Sequence, residues 1–186
     1  MAFDGIAVYA LTQELNNYLR DGRIYKIAQP EKDELQLTIK NNNNNQFKLL
    51  ISANASLPLM YITDQSKMSP MTAPNFCMLL RKHINNGRII DISQPGLERI
   101  VDFTIQHLNE LGDMCIKHLI VELMGKHSNI IFTDDGGTII DSIKHVSSVM
   151  SSVRTVLPGK KYFIPDTMGK LNILEVDREL FFSNTF

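Results

Sequence analysis

Apolar residues near the start of the chain recur at helical spacing. Ile6, Tyr9 and Leu15 lie on one side of a predicted helix, and Asp4 precedes them as a candidate N-cap residue. Asp21-Gly22 marks the predicted end of the helix, because glycine readily adopts the left-handed conformation that closes helices. The sequence therefore predicts a helix between these two signals.

Alternation of apolar and polar residues follows this helix. A strand is predicted over residues 23–29, and the stretches 35–39 and 47–51 then alternate strictly. The asparagine run at 41–45 interrupts the alternation, which indicates a hairpin with an Asn-rich loop. A further short strand is predicted over residues 59–63.

The second half of the chain also begins with a helix. Prolines precede a predicted helix over residues 75–86, and Gly87 ends it. Apolar and alternating stretches then predict strands over residues 88–93, 101–107, 114–123, 129–133, 138–144 and 162–164, with a hairpin around 134–137. No internal repeat is evident from this pattern.

The order of elements predicts an α+β domain that is mainly antiparallel. About nine strands with hairpin connections are too many for one flat sheet. We therefore expect a two-sheet β-sandwich or flattened barrel with two flanking helices. A chain of 186 residues is long enough for one such domain with a sizeable core.

The C-terminal segment has the pattern of a helix that has only begun. Asp177 is a candidate N-cap, and apolar residues follow it before the sequence stops. We expect a domain over residues 1–170, with residues 171–186 starting the next segment of a longer protein. The alternative is a short C-terminal helix that packs back onto the domain.

Charge is balanced along the chain. The formal net charge is -1, from 19 Lys and Arg against 20 Asp and Glu. Residues 1–64 hold 6 basic and 7 acidic groups, residues 65–130 hold 7 and 6, and residues 131–186 hold 6 and 7. Tight, non-specific binding of nucleic acid through bulk charge is therefore not predicted. Any such contact would come from a local patch or from other domains.

Compartment signals indicate the cytoplasm. No apolar run approaches the roughly 18–20 residues that a membrane span needs, and the first residues lack the features of a secretory signal. Cys77 and Cys115 both lie in apolar stretches, which predicts buried free thiols in a reducing environment. No membrane partner is expected.

Motifs for catalysis and for metal binding are missing from the sequence. The five histidines lack ligand spacing, and no Cys-x-x-Cys occurs. Cys77 is expected to be inert, because burial raises the pKa of a thiol. Gly125-Lys126-His127-Ser128 resembles the tail of a phosphate loop, but the upstream glycine is missing and the segment joins two strands. We expect no catalytic residue, no metal, no cofactor and no small-molecule substrate.

Two local stretches could contact an RNA backbone. Arg81, Lys82 and Arg88 lie near the end of the second helix, where cations also favour the helix dipole. Lys126 and His127 lie in a turn with flexible backbone N–H groups that suit a phosphate. The alternative for this second stretch is a plain polar turn.

Glu98-Arg99 is a third candidate, at the start of a strand. Such a pair is usually a solvated salt bridge of little energetic value. An arginine can, however, grip phosphate or a base edge in a fixed fork, and a carboxylate can accept from an exocyclic amine.

Several of these stretches together resemble the NFACT-N domain, the N-terminal domain of the RqcH/NEMF ribosome quality-control family, long labelled fibronectin-binding (FbpA-like) proteins in bacteria. The likeness covers roughly residues 1–180, and the amino acids at the shared positions resemble those of bacterial members of the family. The shared stretches are Phe3-Asp4-Gly5, PNFCMLLRKH at 74–83, GLERI at 96–100, ELMGKHSN at 122–129 and LPG at 157–159.

The resemblance implies both a fold and a function. It implies a fold like the N-terminal lobe of formamidopyrimidine-DNA glycosylase. It implies binding to the large ribosomal subunit with an obstructed nascent chain, and recruitment of tRNA, alanyl-tRNA in bacteria, for template-free C-terminal tailing. Peptide-bond chemistry would belong to the ribosome, so no enzyme activity is expected of this domain.

The resemblance also implies site residues. An acidic residue near the opening helix and an Asp-Arg pair are tRNA-recognition residues in the family. Asp4 matches the first and Glu98-Arg99 matches the second, with an extra methylene in Glu98. Two other functions remain as hypotheses: a fibronectin-binding surface adhesin, from the family label, and DNA repair, from the fold. The proline nucleophile of the glycosylases is replaced here by Ala2, so base excision is not expected.

Overall fold

A computed structural model describes residues 4–164, which form two α-helices, nine β-strands and one 3-10 turn. The elements are α1 Gly5–Leu19, β1 Arg23–Ala28, β2 Glu34–Lys40, β3 Gln46–Ser52, β4 Leu59–Thr63, α2 Asn75–Ile84, β5 Arg88–Ser93, β6 Ile100–Leu108, β7 Met114–Glu122, the 3-10 turn Gly125–His127, β8 Asn129–Asp134 and β9 Ile139–Ser142. The expected domain boundary after residue 170 and the helix expected from Asp177 lie outside the described residues.

The nine strands pair in one antiparallel sheet, in the order β4-β3-β2-β1-β5-β6-β7-β8-β9. The predicted α+β class with a mainly antiparallel sheet is confirmed. The expectation of two separate sheets is wrong, because β1 pairs with β5. This pairing joins the half that contains β1–β4 to the half that contains β5–β9. Ile24 N–H donates to the Gly87 carbonyl at 2.8 Å, and Ile89 N–H donates to the Gly22 carbonyl at 2.9 Å.

The join between the halves reveals an internal repeat. The segments 21–30 (DGRIYKIAQP) and 86–95 (NGRIIDISQP) share Gly-Arg-Ile near the start and Gln-Pro at the end. Each follows a helix and each opens a run of antiparallel strands. The pairing of Arg23 with Arg88 lies at the centre, so the two halves are related by an approximate two-fold axis.

Hydrogen bonds at the join follow the same symmetry. Asp21 N–H donates to the Ile89 carbonyl at 2.7 Å, and Asn86 N–H donates to the Ile24 carbonyl at 2.8 Å. Asp21 and Asn86 adopt φ of 66° and 65°, so the left-handed residue is not Gly22, as predicted, but its neighbour. Gly22 is required by close packing instead, because a Cβ there would lie 2.7 Å from Cγ2 of Ile39.

Both helices contribute to one apolar core together with strands from both halves. In α1 the buried positions include Val8, Leu15 and Leu19. Ile6 and Tyr9, predicted on the buried side, are 63% and 39% exposed. The buried stripe passes through a polar residue, Thr12, whose hydroxyl donates to the Val8 carbonyl at 2.8 Å, and this polar position hid the true core face from the sequence pattern.

The cysteines differ in their surroundings. Cys77 is buried, and burial raises the pKa of its thiol, as predicted. Cys115 is only half-buried, so the prediction of a second buried thiol is wrong. β7 lies inside the sheet, between β6 and β8, but Cys115 is at its partly exposed start, next to the turn of the β6–β7 hairpin.

Candidate nucleic-acid interface

Asp4 is the N-cap of α1, as the sequence predicts. Its backbone is extended, and its Oδ1 accepts a hydrogen bond from the Ala7 N–H at 2.7 Å. The side chain is exposed, so the second carboxylate oxygen faces outward at the positive end of the helix dipole. Capping therefore leaves this residue able to contact a ligand.

Glycine at position 5 allows the turn of residues 94–99 to pack against the start of α1. A Cβ added at Gly5 would overlap the carbonyl oxygen of Leu97 and lie 3.0 Å from its carbonyl carbon. Any side chain at this position would push the helix away from the turn. The close approach brings Asp4 near Glu98 and Arg99, which are far away in the sequence.

A glutamine side chain bridges the same two segments. Gln94 Nε2 donates to the Gly5 carbonyl at 2.8 Å and to the Glu98 carbonyl at 2.7 Å. The sequence patterns did not single out this residue. The repeated Gln-Pro at 29–30 and 94–95 is the signal that could have drawn attention to it.

A cleft of about 780 Å³ lies beside this turn. Its lining combines basic, polar and apolar side chains and contains no Asp or Glu among the described residues. The lining residues are Arg99, Met124, Lys126, His127, Ser128, Asn129, Lys144, His145, Val146, Met150, Ser151, Val153, Arg154 and Val156. Three residues predicted to contact RNA, Arg99, Lys126 and His127, are therefore brought together in one place.

Backbone and hydroxyl hydrogen bonds position these cations. Leu123 N–H donates to the Arg99 carbonyl at 2.8 Å, which ties the turn of residues 94–99 to the segment that follows β7. Ser128 Oγ accepts from the Met124 N–H at 2.9 Å and closes the loop that carries Lys126 and His127. The loop is thus an ordered turn that exposes the Lys126 ammonium and the His127 imidazole.

Ion pairing distinguishes the cations of the cleft. Within residues 4–164, the side chains of Arg99, Lys126 and His127 form no ion pair and no hydrogen bond. Arg154, in contrast, pairs with the fully buried Glu122, and the Tyr162 hydroxyl donates to the same carboxylate at 2.9 Å. Arg99 and Lys126 are therefore positive charges of the cleft that have no ion-pair partner within residues 4–164, and the exposed His127 imidazole follows Lys126 in the same turn.

Burial of Glu122 has a structural consequence for the cleft. Its carboxylate anchors Arg154 and Tyr162, so the segment that carries the apolar wall is fixed to the end of β7. Burial and the neighbouring Glu122 carboxylate raise the pKa of Tyr162, which stays protonated as a donor. Glu122, the first residue of the ELMGKHSN stretch, therefore stabilises the wall of the cleft through its bonds to Arg154 and Tyr162.

The other predicted cations lie outside this cleft and have partners. Arg81 Nε donates to the Ile27 carbonyl at 2.9 Å, and Lys82 lies 3.4 Å from Glu110. Arg88 pairs with Asp21 at 2.7 Å. RNA contact at Arg81, Lys82 and Arg88 stays a prediction, and their existing partners make them weaker candidates than the residues of the cleft.

Arg81 also fits the internal symmetry. In α1 the corresponding place is taken by Asn16, whose Nδ2 donates to the Ile92 carbonyl at 2.6 Å. Each helix thus sends one side chain to the strand of the other half. Arg81 has a structural role that does not depend on RNA.

Neither a metal site nor a membrane helix is found in the described part of the chain. No group of three or more His, Cys, Asp or Glu side chains within residues 4–164 is arranged to hold a metal ion. Among the same residues, no helix is long and apolar enough to cross a membrane.

Comparison with known proteins gives consistent matches over nearly the whole chain. A family model described as NFACT N-terminal and middle domains matches residues 4–185. Rqc2 homolog RqcH from Bacillus subtilis (strain 168) is 47% identical over 180 residues, 96% of this chain and 31% of that protein. Ribosome quality control complex subunit NEMF from Homo sapiens is 25% identical over 142 residues, 76% of this chain and 12% of that protein.

Solved structures match as well. The N-terminal domain of fibronectin-binding protein PavA from Streptococcus pneumoniae has a TM-score of 0.92 and 37% identity, covering 99% of this chain and 69% of that one. The fibrinogen binding protein from Staphylococcus aureus has a TM-score of 0.84 and 31% identity, covering 98% of this chain and 64% of that one. The chain spans about a third of the length of the bacterial RqcH relatives that it matches.

Proposed function

The chain belongs to the family of NFACT N-terminal and middle domains, and from this premise we propose that it is the tRNA- and large-ribosomal-subunit-binding part of a ribosome quality-control factor. The factor recruits alanyl-tRNA for template-free C-terminal tailing of nascent chains stalled on an obstructed large subunit. Relatives named RqcH and NEMF support this assignment.

The observation that carries the proposal is the cleft, in which the Arg99 and Lys126 side chains have no ion-pair partner within residues 4–164. Arg99, Lys126 and His127 line one concave surface without a carboxylate among its described lining residues. Such a surface suits a phosphate backbone, while the Arg99 guanidinium can hold a phosphate or a base edge in two parallel hydrogen bonds. Asp4 and Glu98 do not line the cleft; they lie where the start of α1 meets the turn of residues 94–99. Their carboxylates can accept hydrogen bonds from base amino groups.

The proposal gives the chain a binding role and no chemical step. The ribosome supplies peptide-bond formation, so the chain needs no nucleophile, metal or cofactor. We place its work in the cytoplasm, where stalled ribosomes and tRNA occur. The apolar side chains of the cleft, such as Met150 and Val153, would contact the nucleotide while the cations hold its phosphates.

Alanine tailing by the full-length protein tests the proposal. Substitution of Asp4 by Asn or of Arg99 by Gln is expected to abolish tailing and to remove tRNA that co-purifies with the protein. The nascent chain of a reporter whose translation stalls would be analysed by mass spectrometry for alanine added at its C-terminus. Unchanged tailing in both variants would overturn the assignment of the site.

A second candidate function is binding of fibronectin, which the names of solved neighbours from Streptococcus pneumoniae and Streptococcus suis favour. Surface plasmon resonance with immobilised fibronectin and, in parallel, immobilised tRNA would decide between the two. We expect saturable, salt-dependent binding to tRNA only. Saturable binding to fibronectin together with no binding to tRNA would favour the second candidate.

A further inference from the structure

From the bridge at the start of α1 we infer that Gln94 is a positioning residue, which holds Asp4 and the Glu98-Arg99 pair together as one tRNA-binding surface. The inference rests on the proposed function for its consequence in binding. The coupling of the two chain segments through the Gln94 amide is seen in the geometry of the free protein.

The first step is the geometry of the amide. One nitrogen, Gln94 Nε2, donates to two backbone carbonyls, that of Gly5 at 2.8 Å and that of Glu98 at 2.7 Å. Gly5 follows Asp4 directly, and the Glu98 carbonyl belongs to the peptide that joins Glu98 to Arg99. Both hydrogens of the amide are therefore bonded, and they set the spacing between the start of α1 and the peptide of Glu98.

The second step concerns the other atom of the amide. Gln94 Oε1 is buried and has no hydrogen-bond partner among the described residues. An unsatisfied buried acceptor is unfavourable. A side chain of similar length without this oxygen would avoid that cost, so what the glutamine contributes here is its pair of N–H donors.

The third step is the comparison with the other half of the molecule. Gln29 occupies the corresponding place in the internal repeat, and its Nε2 donates to the Lys32 carbonyl of its own turn at 3.2 Å. Gln29 Oε1 is also buried and has no hydrogen-bond partner within residues 4–164. Each glutamine thus donates to the turn that follows it, and Gln94 also donates to the first residue of a helix.

This symmetry supplies a matched control. Gln94→Met and Gln29→Met each remove the amide at equivalent places and keep the length of the side chain. Both variants lose the hydrogen bond within their own turn, and Gln94→Met also loses the bond to Gly5, so Gln94→Met should lose more stability. Only Gln94→Met should uncouple α1 from residues 94–99.

Hydrogen exchange of backbone amides in the free, full chain tests the coupling without tRNA. In Gln94→Met we expect faster exchange both in residues 96–99 and in the first turn of α1, including Ala7 N–H, which Asp4 caps. In Gln29→Met we expect faster exchange only in residues 31–34. If α1 is as well protected in Gln94→Met as in the parent chain, Gln94 does not position Asp4 and the inference is overturned.

Binding of tRNA then tests the functional part through a double-mutant cycle. We expect Gln94→Met to weaken binding about tenfold, the scale of a lost buried hydrogen bond that also misplaces a partner. Asp4→Asn should weaken binding less in the Gln94→Met background than in the parent or in Gln29→Met, because Asp4 is already displaced. Strictly additive losses would contradict a positioning role.

The outcomes separate this inference from the proposed function. If Asp4→Asn and Arg99→Gln both leave tRNA binding unchanged, the proposed function fails. If both weaken binding while Gln94→Met binds as tightly as Gln29→Met, the proposed function stands and the inference about Gln94 fails.

Discussion

Asp4 caps α1, and under the proposed function the same side chain also contacts tRNA. One carboxylate oxygen caps α1 through the Ala7 N–H, and the exposed position leaves the group open to solvent next to the turn of Glu98 and Arg99. The capping role needs an acceptor oxygen, and the recognition role needs a charge. Substitutions can therefore separate the two.

Asparagine and alanine at position 4 give different expected results. Asp4→Asn keeps an acceptor and should cost little folding free energy, whereas Asp4→Ala should destabilise the chain by about 1 kcal/mol. Both should weaken tRNA binding. Urea unfolding and a tRNA titration measure the two effects, and normal tRNA binding by a well-folded Asp4→Asn variant would restrict Asp4 to capping.

His118 gives a second prediction at this scale, through pH. Its Nδ1 lies 2.9 Å from Asp102 and its Nε2 lies 3.1 Å from Asp135. The hydrogen bond with Asp102, opposed by burial and aided by the charges of both carboxylates, raises the pKa of His118 from 6.5 to about 9. The protonated imidazole therefore stabilises the fold.

The sign of this effect fixes the pH window. The folded-state pKa is the higher one, so the stabilisation is complete below pH 6.5 and is lost as pH rises through 9. Urea unfolding midpoints of the parent chain should fall across this window, and those of His118→Gln should fall less. Parallel curves for the two proteins would show that His118 does not titrate between the folded and unfolded states.

The secondary-structure element that carries a lysine determines whether its ammonium group is open to a ligand. Lys126 belongs to the 3-10 turn that lines the cleft and has no ion-pair partner within residues 4–164. Lys82 belongs to the last turn of α2, where the helix dipole and Glu110 both attract it. Two lysines of equal charge thus have different surroundings.

Matched substitutions test this distinction between elements. Lys126→Gln and Lys82→Gln each remove one positive charge from the chain. We expect Lys126→Gln to weaken tRNA binding and to reduce the slope of log affinity against log salt by about one. Lys82→Gln should leave the slope nearly unchanged. Equal slopes in the two variants would contradict the assignment of the cleft.

Local patterns predicted most elements because periodicity is a local property. The strands around 35–39 and 47–51 pair in the expected hairpin, with Leu37 opposite Leu49. The buried face of α1 was predicted correctly at Leu15 but not at Ile6 and Tyr9, since the buried stripe includes Thr12, which is polar by type but hydrogen-bonded within its own helix. Residue type alone does not record such a hydrogen bond.

Relations across the whole molecule were less accessible from the sequence. β1 and β5 are far apart in the sequence, and hydrophobic alternation identifies a strand without identifying its partner. The pairing of β1 with β5 could therefore not be predicted from that alternation. The repeated Gly-Arg-Ile and Gln-Pro were present in the sequence. Motif likeness placed Asp4 and Arg99 in one site, but the glycine contact and the Gln94 bridge that unite them required the fold.

Charge at the scale of the molecule sets the strength of binding. The net charge is -1, so attraction to a polyanion arises from the cleft and not from the surface as a whole. We expect weak binding by this chain that is lost at moderate salt. The remaining part of a full-length relative would add further contacts.

The central claim is that the cleft beside Arg99 holds tRNA, and a fluorescence-anisotropy titration of bare and alanyl-tRNA at low and moderate salt tests it most directly. Arg99→Gln removes a guanidinium that has no ion-pair partner in the described part of the chain, and Arg88→Gln removes one that is paired with Asp21. We expect measurable binding at low salt, weakened about tenfold by Arg99→Gln and little by Arg88→Gln. Equal affinities of the two variants, or no binding of the parent chain at low salt, would contradict the claim.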